Sequence, residues 1–171
     1  MPNHWGSFLV TFPPEEQTEW TLPTGIWHWD THPGTYPKEM VNLRVFLFFS
    51  HVKPQGSGTL MVEGAHTATM QFAKSLTPKE RKLKFRPLRK RFEQSNPWLA
   101  ELSGHRSRPS GRTDYFMNEP TEVDGVPLRI IEMTGEPGYV ILCHPFFWHT
   151  TSSNVLEYPR FMRTKDVKMK D

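Results

Sequence analysis

A histidine and an aspartate lie two positions apart in the segment GIWHWDTHPG, residues 25–34, as His28 and Asp30. Side chains at positions i and i+2 of an extended strand project from the same face, so one strand could direct both groups at one point. Imidazole and carboxylate groups are both ligands of transition metals. The pair therefore predicts part of a metal site that needs a third ligand from elsewhere in the chain. His32 also lies two positions from Asp30, which leaves a simple His32–Asp30 pair as an alternative.

The C-terminal part of the chain offers the third ligand in CHPFFWHTTSSNVLEYPR, residues 143–160. Both His144 and His149 are candidates on the residues alone. Two histidines and one carboxylate on one face of a metal leave three positions open, an arrangement typical of non-heme Fe(II) sites. Zinc sites more often collect a larger share of nitrogen or sulfur ligands. The residue types therefore favour iron.

These segments resemble the phytanoyl-CoA dioxygenase family, whose members are Fe(II)- and 2-oxoglutarate-dependent oxygenases with a double-stranded β-helix fold. The resemblance rests on HWD at 28–30, on GSGTLMVEGAH at 56–66, and on GEPGYVILCHPFFWHTTSSN at 135–154 followed by Arg160. It extends from residue 25 to about residue 165. The combination of these motifs is more specific than the HxD pattern, which occurs by chance in many proteins.

The resemblance implies that His28, Asp30 and His149 bind Fe(II) and that Arg160 binds the distal carboxylate of 2-oxoglutarate. Thr151 stands near the position of a serine that shares this carboxylate in relatives. Because one small co-substrate must bridge the metal and the arginine, we expect His149 and Arg160 on neighbouring strands. The implied reaction hydroxylates a C–H bond of a small organic substrate with molecular oxygen, and 2-oxoglutarate is decarboxylated to succinate. Ascorbate is an optional further cofactor.

Short strands dominate the predicted secondary structure, and many prolines and aromatic residues favour strands and irregular loops over a helix bundle. A helix is expected from Thr77, as N-cap before Pro78, to the Asn96–Pro97 break, with a short helix at 98–102. The polar segment 104–125 is expected to be a loop. The predicted strands cover residues 26–32, 43–52, 59–64, 127–133, 138–144, about 147–152, and 160–165.

We therefore expect a mainly β protein with a double-stranded β-helix, or cupin-like jelly roll, and a helical insertion. The 171 residues predict one oxygenase-like domain, with residues 67–125 as a helix and loop insertion between two strand blocks. The single cysteine, Cys143, excludes an intramolecular disulfide and is expected to be a buried strand residue. With neither a leader pattern nor an apolar stretch of spanning length, we expect a cytoplasmic protein without a membrane partner.

The net charge is only +3, but nine Lys and Arg side chains cluster between residues 74 and 92. Such a run is most simply a solvated helix face. A nucleic-acid partner is disfavoured, because aromatic residues do not alternate with these charges. A non-catalytic, cupin-like binding module or an inactive truncated family member remains the main alternative to an enzyme, and Arg160 distinguishes them because a plain metal binder needs no carboxylate ligand there.

Only 27 residues precede His28, fewer than family members usually carry before this motif. A missing upstream strand would leave apolar sheet surface exposed, which favours self-association. A homo-oligomer is therefore one expected state of the chain. The substrate cannot be read from the sequence, because the loops and helices that set it carry the weakest patterns.

Overall fold

Eight antiparallel strands form the frame of the computed structural model, which describes residues 6–16, 18–36, 42–108 and 110–168. One sheet has the strand order β1-β8-β2-β6 and the other has the order β4-β5-β3-β7. The expected mainly β, jelly-roll class is confirmed. The strands are β1 (Ser7–Thr11), β2 (Asn42–Phe48), β3 (Thr59–Glu63), β4 (Thr121–Val123), β5 (Val126–Glu132), β6 (Val140–Cys143), β7 (Trp148–Thr151) and β8 (Arg160–Lys168).

Within the described residues, the α-helices all lie between β3 and β4 along the chain. They are α1 (Ala65–Ser75), α2 (Phe85–Glu93), α3 (Pro97–Leu102) and α4 (Arg112–Met117), with short 3-10 turns at Pro33–Thr35 and Glu80–Lys82. In the part of the chain that the structure describes, no helix is long and apolar enough to cross a membrane. The division into one domain with an insertion at 67–125 stays a prediction.

Two apolar clusters hold these layers together. The first joins side chains of both sheets and includes Phe46, Phe48, Phe147 and Met162. The second is larger and joins the outer face of the β4-β5-β3-β7 sheet to the helices. Burial of apolar area on both faces of that sheet is the main favourable contribution to folding. Cys143 belongs to the first cluster and is buried, as expected, and burial raises the pKa of its thiol to about 12.

The strand expected at 26–32 is wrong. This segment makes only an isolated antiparallel bridge at His28, which pairs with His149. Ile26 has a φ of 64°, in the left-handed region that a β-branched residue rarely adopts and a strand excludes. At the other end, Pro33 begins a 3-10 turn capped by the side chain of His32. The extended part is therefore too short to form a ladder.

The helix expected from Thr77 to the Asn96–Pro97 break is wrong in its first half. Thr77 and Glu80 do form a reciprocal capping box, in which the Glu80 carboxylate accepts the Thr77 N–H at 2.8 Å and the Thr77 hydroxyl accepts the Glu80 N–H at 3.3 Å. The box opens only a 3-10 turn, because Pro87 excludes a continuous helix through this region. α2 instead begins at Phe85, which places Pro87 in its first turn. The short helix expected at 98–102 is observed as α3, with Asn96 as its N-cap.

Three further elements were not expected. α1 begins immediately after Gly64, whose φ is 80° and where an added Cβ would lie 2.4 Å from the Pro127 carbonyl oxygen. α4 and β4 lie inside the polar segment 104–125, which was expected to be a loop. Tertiary contacts explain α4: Phe116 is fully buried, and the Arg112 guanidinium donates to the Glu101 carbonyl at the end of α3 at 2.7 Å. No local sequence pattern reports such contacts.

Candidate metal centre

The main chain brings the two ligand-bearing segments together. His28 N–H donates to the His149 carbonyl at 2.9 Å, and His149 N–H donates to the His28 carbonyl at 3.1 Å. β7, which carries His149, pairs with β3 through Met61. The centre is therefore built on the edge strand of one sheet, with the HxD segment bound to that edge by two hydrogen bonds.

Trp29, between His28 and Asp30, is directed into the helical side of the molecule. Its ring lies 4.5 Å from that of Trp148 and 4.8 Å from that of Phe92, measured between centroids. Its indole N–H donates to the Thr69 hydroxyl on α1 at 2.9 Å. Since neighbouring side chains of extended backbone point to opposite sides, anchoring Trp29 turns the two ligand candidates toward the inter-sheet side. Trp27, Trp29 and Trp148 are each 3% exposed or less, so all three rings belong to the core.

One ligand atom from each of His28, Asp30 and His149 lies within 4.8 Å of the other two. The Asp30 carboxylate oxygens lie 3.5 Å from His149 Nε2 and 4.0 Å from His28 Nε2. His28 Nδ1–H donates to the Ile26 carbonyl at 2.8 Å, and His149 Nδ1 lies 3.5 Å from the Phe147 carbonyl. These contacts place a proton on each Nδ1 and leave each Nε2 facing Asp30, the arrangement found in metal-binding histidines.

His149 is held in its neutral form by its surroundings. Its side chain is buried, and the ring of Phe147 stacks on it at 3.9 Å between centroids. Burial, followed by the neighbouring His28, lowers the pKa of His149 to about 3. A neutral imidazole at physiological pH can donate its lone pair without first losing a proton. The mixed N/O set is the one that Fe(II) facial triads use.

Arg44 is a site residue that sequence reasoning missed. Its guanidinium lies 2.8 Å from one Asp30 carboxylate oxygen and 3.0 Å from a carboxylate oxygen of Asp166 on β8. The contact fixes the Asp30 side chain and leaves its second oxygen directed toward His28. The available signal was a charged residue inside the apolar run LRVFLFF of β2, where an unpaired charge would be costly.

Arg160 is 3% exposed at the start of β8. Its Nη2 donates to the Thr11 hydroxyl at 2.9 Å, but among the residues that the structure describes, Nε and Nη1 have no hydrogen-bond partner. Burial lowers the pKa of Arg160 to about 10, so the group remains a cation at neutral pH, with Glu132 partly offsetting the effect. A buried guanidinium with two unsatisfied donors fits a bidentate carboxylate ligand.

The expected neighbouring placement of His149 and Arg160 is wrong. β7 and β8 follow one another along the chain but belong to different sheets. Arg160 instead shares a face of β8 with Met162, which packs in the inter-sheet cluster together with Phe147. The β-helix topology causes this, because consecutive strands of a jelly roll cross from one sheet to the other.

The hydroxyl that contacts Arg160 is that of Thr11 on β1, which sequence reasoning also missed. Thr151 ends β7 on the same face as His149, opposite Thr59, and its side chain is exposed. A role for Thr151 toward 2-oxoglutarate stays a prediction. Thr11 carries no local signal, because its partner is 149 residues away in the sequence.

His32 and His144 have other partners. His32 does not pair with Asp30: its Nε2 donates to the Leu83 carbonyl at 2.8 Å, and its Nδ1 accepts the Gly34 N–H. His144 accepts the Phe146 N–H at 3.0 Å, and burial, followed by the nearby His66, lowers its pKa. The His144 ring is therefore bonded to the backbone. Its ring does not belong to the three-residue cluster.

Comparisons with known proteins add a structural likeness. No protein-family model matches the chain, and a search of curated proteins gives no match. Among solved structures, the chain is similar to the non-heme α-ketoglutarate-dependent carbocyclase SnoK from nogalamycin biosynthesis, with 17% identity and a TM-score of 0.49. The match covers 94% of this chain and 47% of SnoK, so the chain spans about half the length of that protein.

Proposed function

We propose that this chain is an Fe(II)- and 2-oxoglutarate-dependent dioxygenase of the phytanoyl-CoA dioxygenase type. It hydroxylates a C–H bond of a small organic substrate with molecular oxygen. Support comes from the His28, Asp30 and His149 ligand atoms, which lie within 4.8 Å of one another. Two histidines and one carboxylate leave open coordination positions for a co-substrate.

Each residue of the centre then has a defined task. His28 and His149 present their Nε2 atoms to the metal, with their Nδ1 groups directed at backbone carbonyls. Asp30 supplies an anionic oxygen, and Arg44 fixes its orientation. When bound, the metal and 2-oxoglutarate supply the oxidative chemistry, and the protein supplies binding, orientation and electrostatics.

The observation that carries the proposal is Arg160. A cation that is 3% exposed, with two donors unsatisfied within the described part of the chain, is costly unless an anion binds it. Its face of β8 borders the inter-sheet cluster that also contains Phe147, the residue stacked on His149. The distal carboxylate of 2-oxoglutarate satisfies both donors. A non-catalytic metal-binding module would have no use for them.

The proposal is tested by oxygen-dependent formation of succinate from 2-oxoglutarate in the presence of Fe(II). We expect succinate formation by the wild-type chain and at least a hundredfold less by Arg160→Ala. Arg163→Ala is the matched control, because Arg163 lies on the same strand but on its opposite face. Equal succinate formation by Arg160→Ala and Arg163→Ala would contradict the assignment.

A further inference from the structure

Resting on this proposed function, we propose that the cavity beside His28 and Asp30 binds an organic anion, with Arg86 and Arg89 holding its anionic group and Phe85 and Ile26 contacting its apolar body. The inference names a substrate class, which the metal centre alone does not define. It also gives a role to part of the basic segment at 74–92.

The cavity has a volume of about 470 Å³ and opens at the candidate metal ligands. Volumes of roughly 300–1,000 Å³ are typical of small-molecule sites. Its lining joins His28 and Asp30 to the first turns of α2, through Phe85, Arg86 and Arg89, and to Ile26. A molecule that fills it therefore contacts the metal centre and the basic helix at once.

The charge of this lining is unbalanced in favour of cations. Among the described residues, the Arg86 guanidinium has no ion-pair or hydrogen-bond partner, and Arg89 contacts Glu93 only through Nε, at 3.5 Å. The Glu93 carboxylate is shared with His105, at 2.8 Å from its Nε2. The carboxylate in the lining, Asp30, is already paired with Arg44. The lining thus presents two arginine termini to an incoming anion, and guanidinium groups bind carboxylates and phosphates through paired hydrogen bonds.

The other two arginines of the same segment are already paired. Arg81 donates to the carbonyls of Tyr36 and Ala73, and Arg91 lies 2.6 Å from the Glu80 carboxylate. The arginines that line the cavity are thus distinguished from the other arginines of the segment both by position and by their available donors. A solvated helix face, the simplest reading of the sequence, does not account for this difference.

The apolar part of the lining is accessible. Ile26 is 73% exposed and Phe85 is 46% exposed, although both are large apolar side chains. Exposed apolar groups beside a cavity with convergent polar groups are typical of ligand sites. Together with the two arginines, they fit a molecule that has one anionic end and one apolar body.

The distance between the basic helix and the metal ligands is fixed by His32. Its Nε2 donates to the Leu83 carbonyl, just before α2, at 2.8 Å, and its ring packs edge-on against Phe85 at 4.8 Å. His32 belongs to the same segment as His28 and Asp30. The anionic end of a substrate would therefore be held at a set distance from the metal, which selects the carbon that reacts.

The test measures binding of three probes to the metal-free full chain by saturation-transfer NMR titration. The probes are 4-phenylbutyrate, 4-phenylbutyl phosphate and the neutral 4-phenylbutanamide. The pocket variant is Arg86→Gln/Arg89→Gln, and the matched control is Lys79→Gln/Lys90→Gln, which removes the same charge from the same segment outside the cavity lining. A parallel anaerobic titration follows the visible band of Fe(II) with 2-oxoglutarate.

We expect the anionic probes to bind at least tenfold more tightly than the amide, the pocket variant to lose this preference, and the control to keep affinity within twofold. The tighter of the two anionic probes identifies the anionic group. The inference is overturned if the amide binds as tightly as the acid, or if both double variants lose the same affinity. It is also overturned if an oligonucleotide displaces the probes and binds both double variants less tightly than wild type. If no probe binds while the 2-oxoglutarate band forms, the substrate class is wrong and the proposed function stands. If a probe binds but the 2-oxoglutarate band does not form, the cavity binds anions and the proposed function is wrong.

Discussion

Asp30 is the residue on which the charges of the centre converge. Its carboxylate lies 2.8 Å from the Arg44 guanidinium and 3.5 Å from His149 Nε2. The positive charge of Arg44 weakens the binding of a cation at the centre, whereas its contact with Asp30 strengthens that binding by fixing the carboxylate. The orienting effect is expected to dominate, because hydrogen-bonded partners of metal ligands typically change metal affinity by ~10–100-fold.

Arg44→Gln is therefore expected to weaken Fe(II) binding about tenfold. Anaerobic isothermal titration calorimetry measures this directly, and Arg129→Gln, which removes an exposed ion pair with Glu63, is the control. Arg44→Lys should recover part of the loss, because it keeps a cation beside Asp30. Tighter Fe(II) binding by Arg44→Gln would show that charge repulsion outweighs orientation.

At the scale of elements, Trp29 connects the HxD segment to the helices. Its indole N–H donates to Thr69 on α1, and its ring contacts Phe92 on α2. Both groups of the hydrogen bond are buried, so removing one partner leaves the other unsatisfied, at a cost of roughly 1–3 kcal/mol. The helices thereby position the segment that carries the candidate ligands His28 and Asp30.

Trp29→Phe and Thr69→Val are each expected to lower the free energy of unfolding by about 1–3 kcal/mol, measured by urea denaturation. The double variant should lose about 1 kcal/mol less than the sum, because the two changes remove the same hydrogen bond. Strict additivity would mean that the bond does not contribute to stability.

The sequence predicted which three side chains meet at the candidate centre, His28, Asp30 and His149, better than it predicted the elements that carry them. His28, Asp30, His149 and Arg160 stand in local motifs, and their residue types indicate their chemistry. The isolated bridge at His28 depends on a positive φ angle, and the helix break before Pro87 depends on proline geometry. The helix α4, in a segment expected to be a loop, depends on buried tertiary contacts. Thr11 was missed because its partner lies 149 residues away along the chain, and Arg44 was missed although a charge inside the apolar run of β2 is a local signal.

At the scale of the whole molecule, stability depends on keeping His149 neutral. Its pKa is about 3 in the folded state, against an ordinary value of 6.5. Between these values the unfolded chain binds more protons than the folded chain, so stability is fully present above pH 6.5 and decreases as the pH falls. Glu132, whose pKa is raised by burial, acts in the opposite direction just above pH 4.5. Self-association of the chain stays a prediction.

The metal-free chain should therefore lose stability below pH 6.5, with a slope that approaches ~1.4 kcal/mol per pH unit. Urea denaturation between pH 4 and pH 8 measures the slope. His149→Gln should flatten it. The control is His51→Gln, which replaces a half-exposed histidine outside the centre and leaves the contribution of His149 in place. An unchanged slope in His149→Gln would assign the pH dependence to other groups.

The most direct test of the central claim is anaerobic addition of Fe(II) and 2-oxoglutarate to the purified chain, followed by the visible charge-transfer band of the chelate. We predict a band in the wild type, a weaker band with reduced 2-oxoglutarate affinity in Arg160→Ala, and no band in His149→Ala. Arg163→Ala and His51→Ala should match the wild type. A folded wild-type chain without a band, or an unchanged band in His149→Ala, would contradict the assignment of this centre.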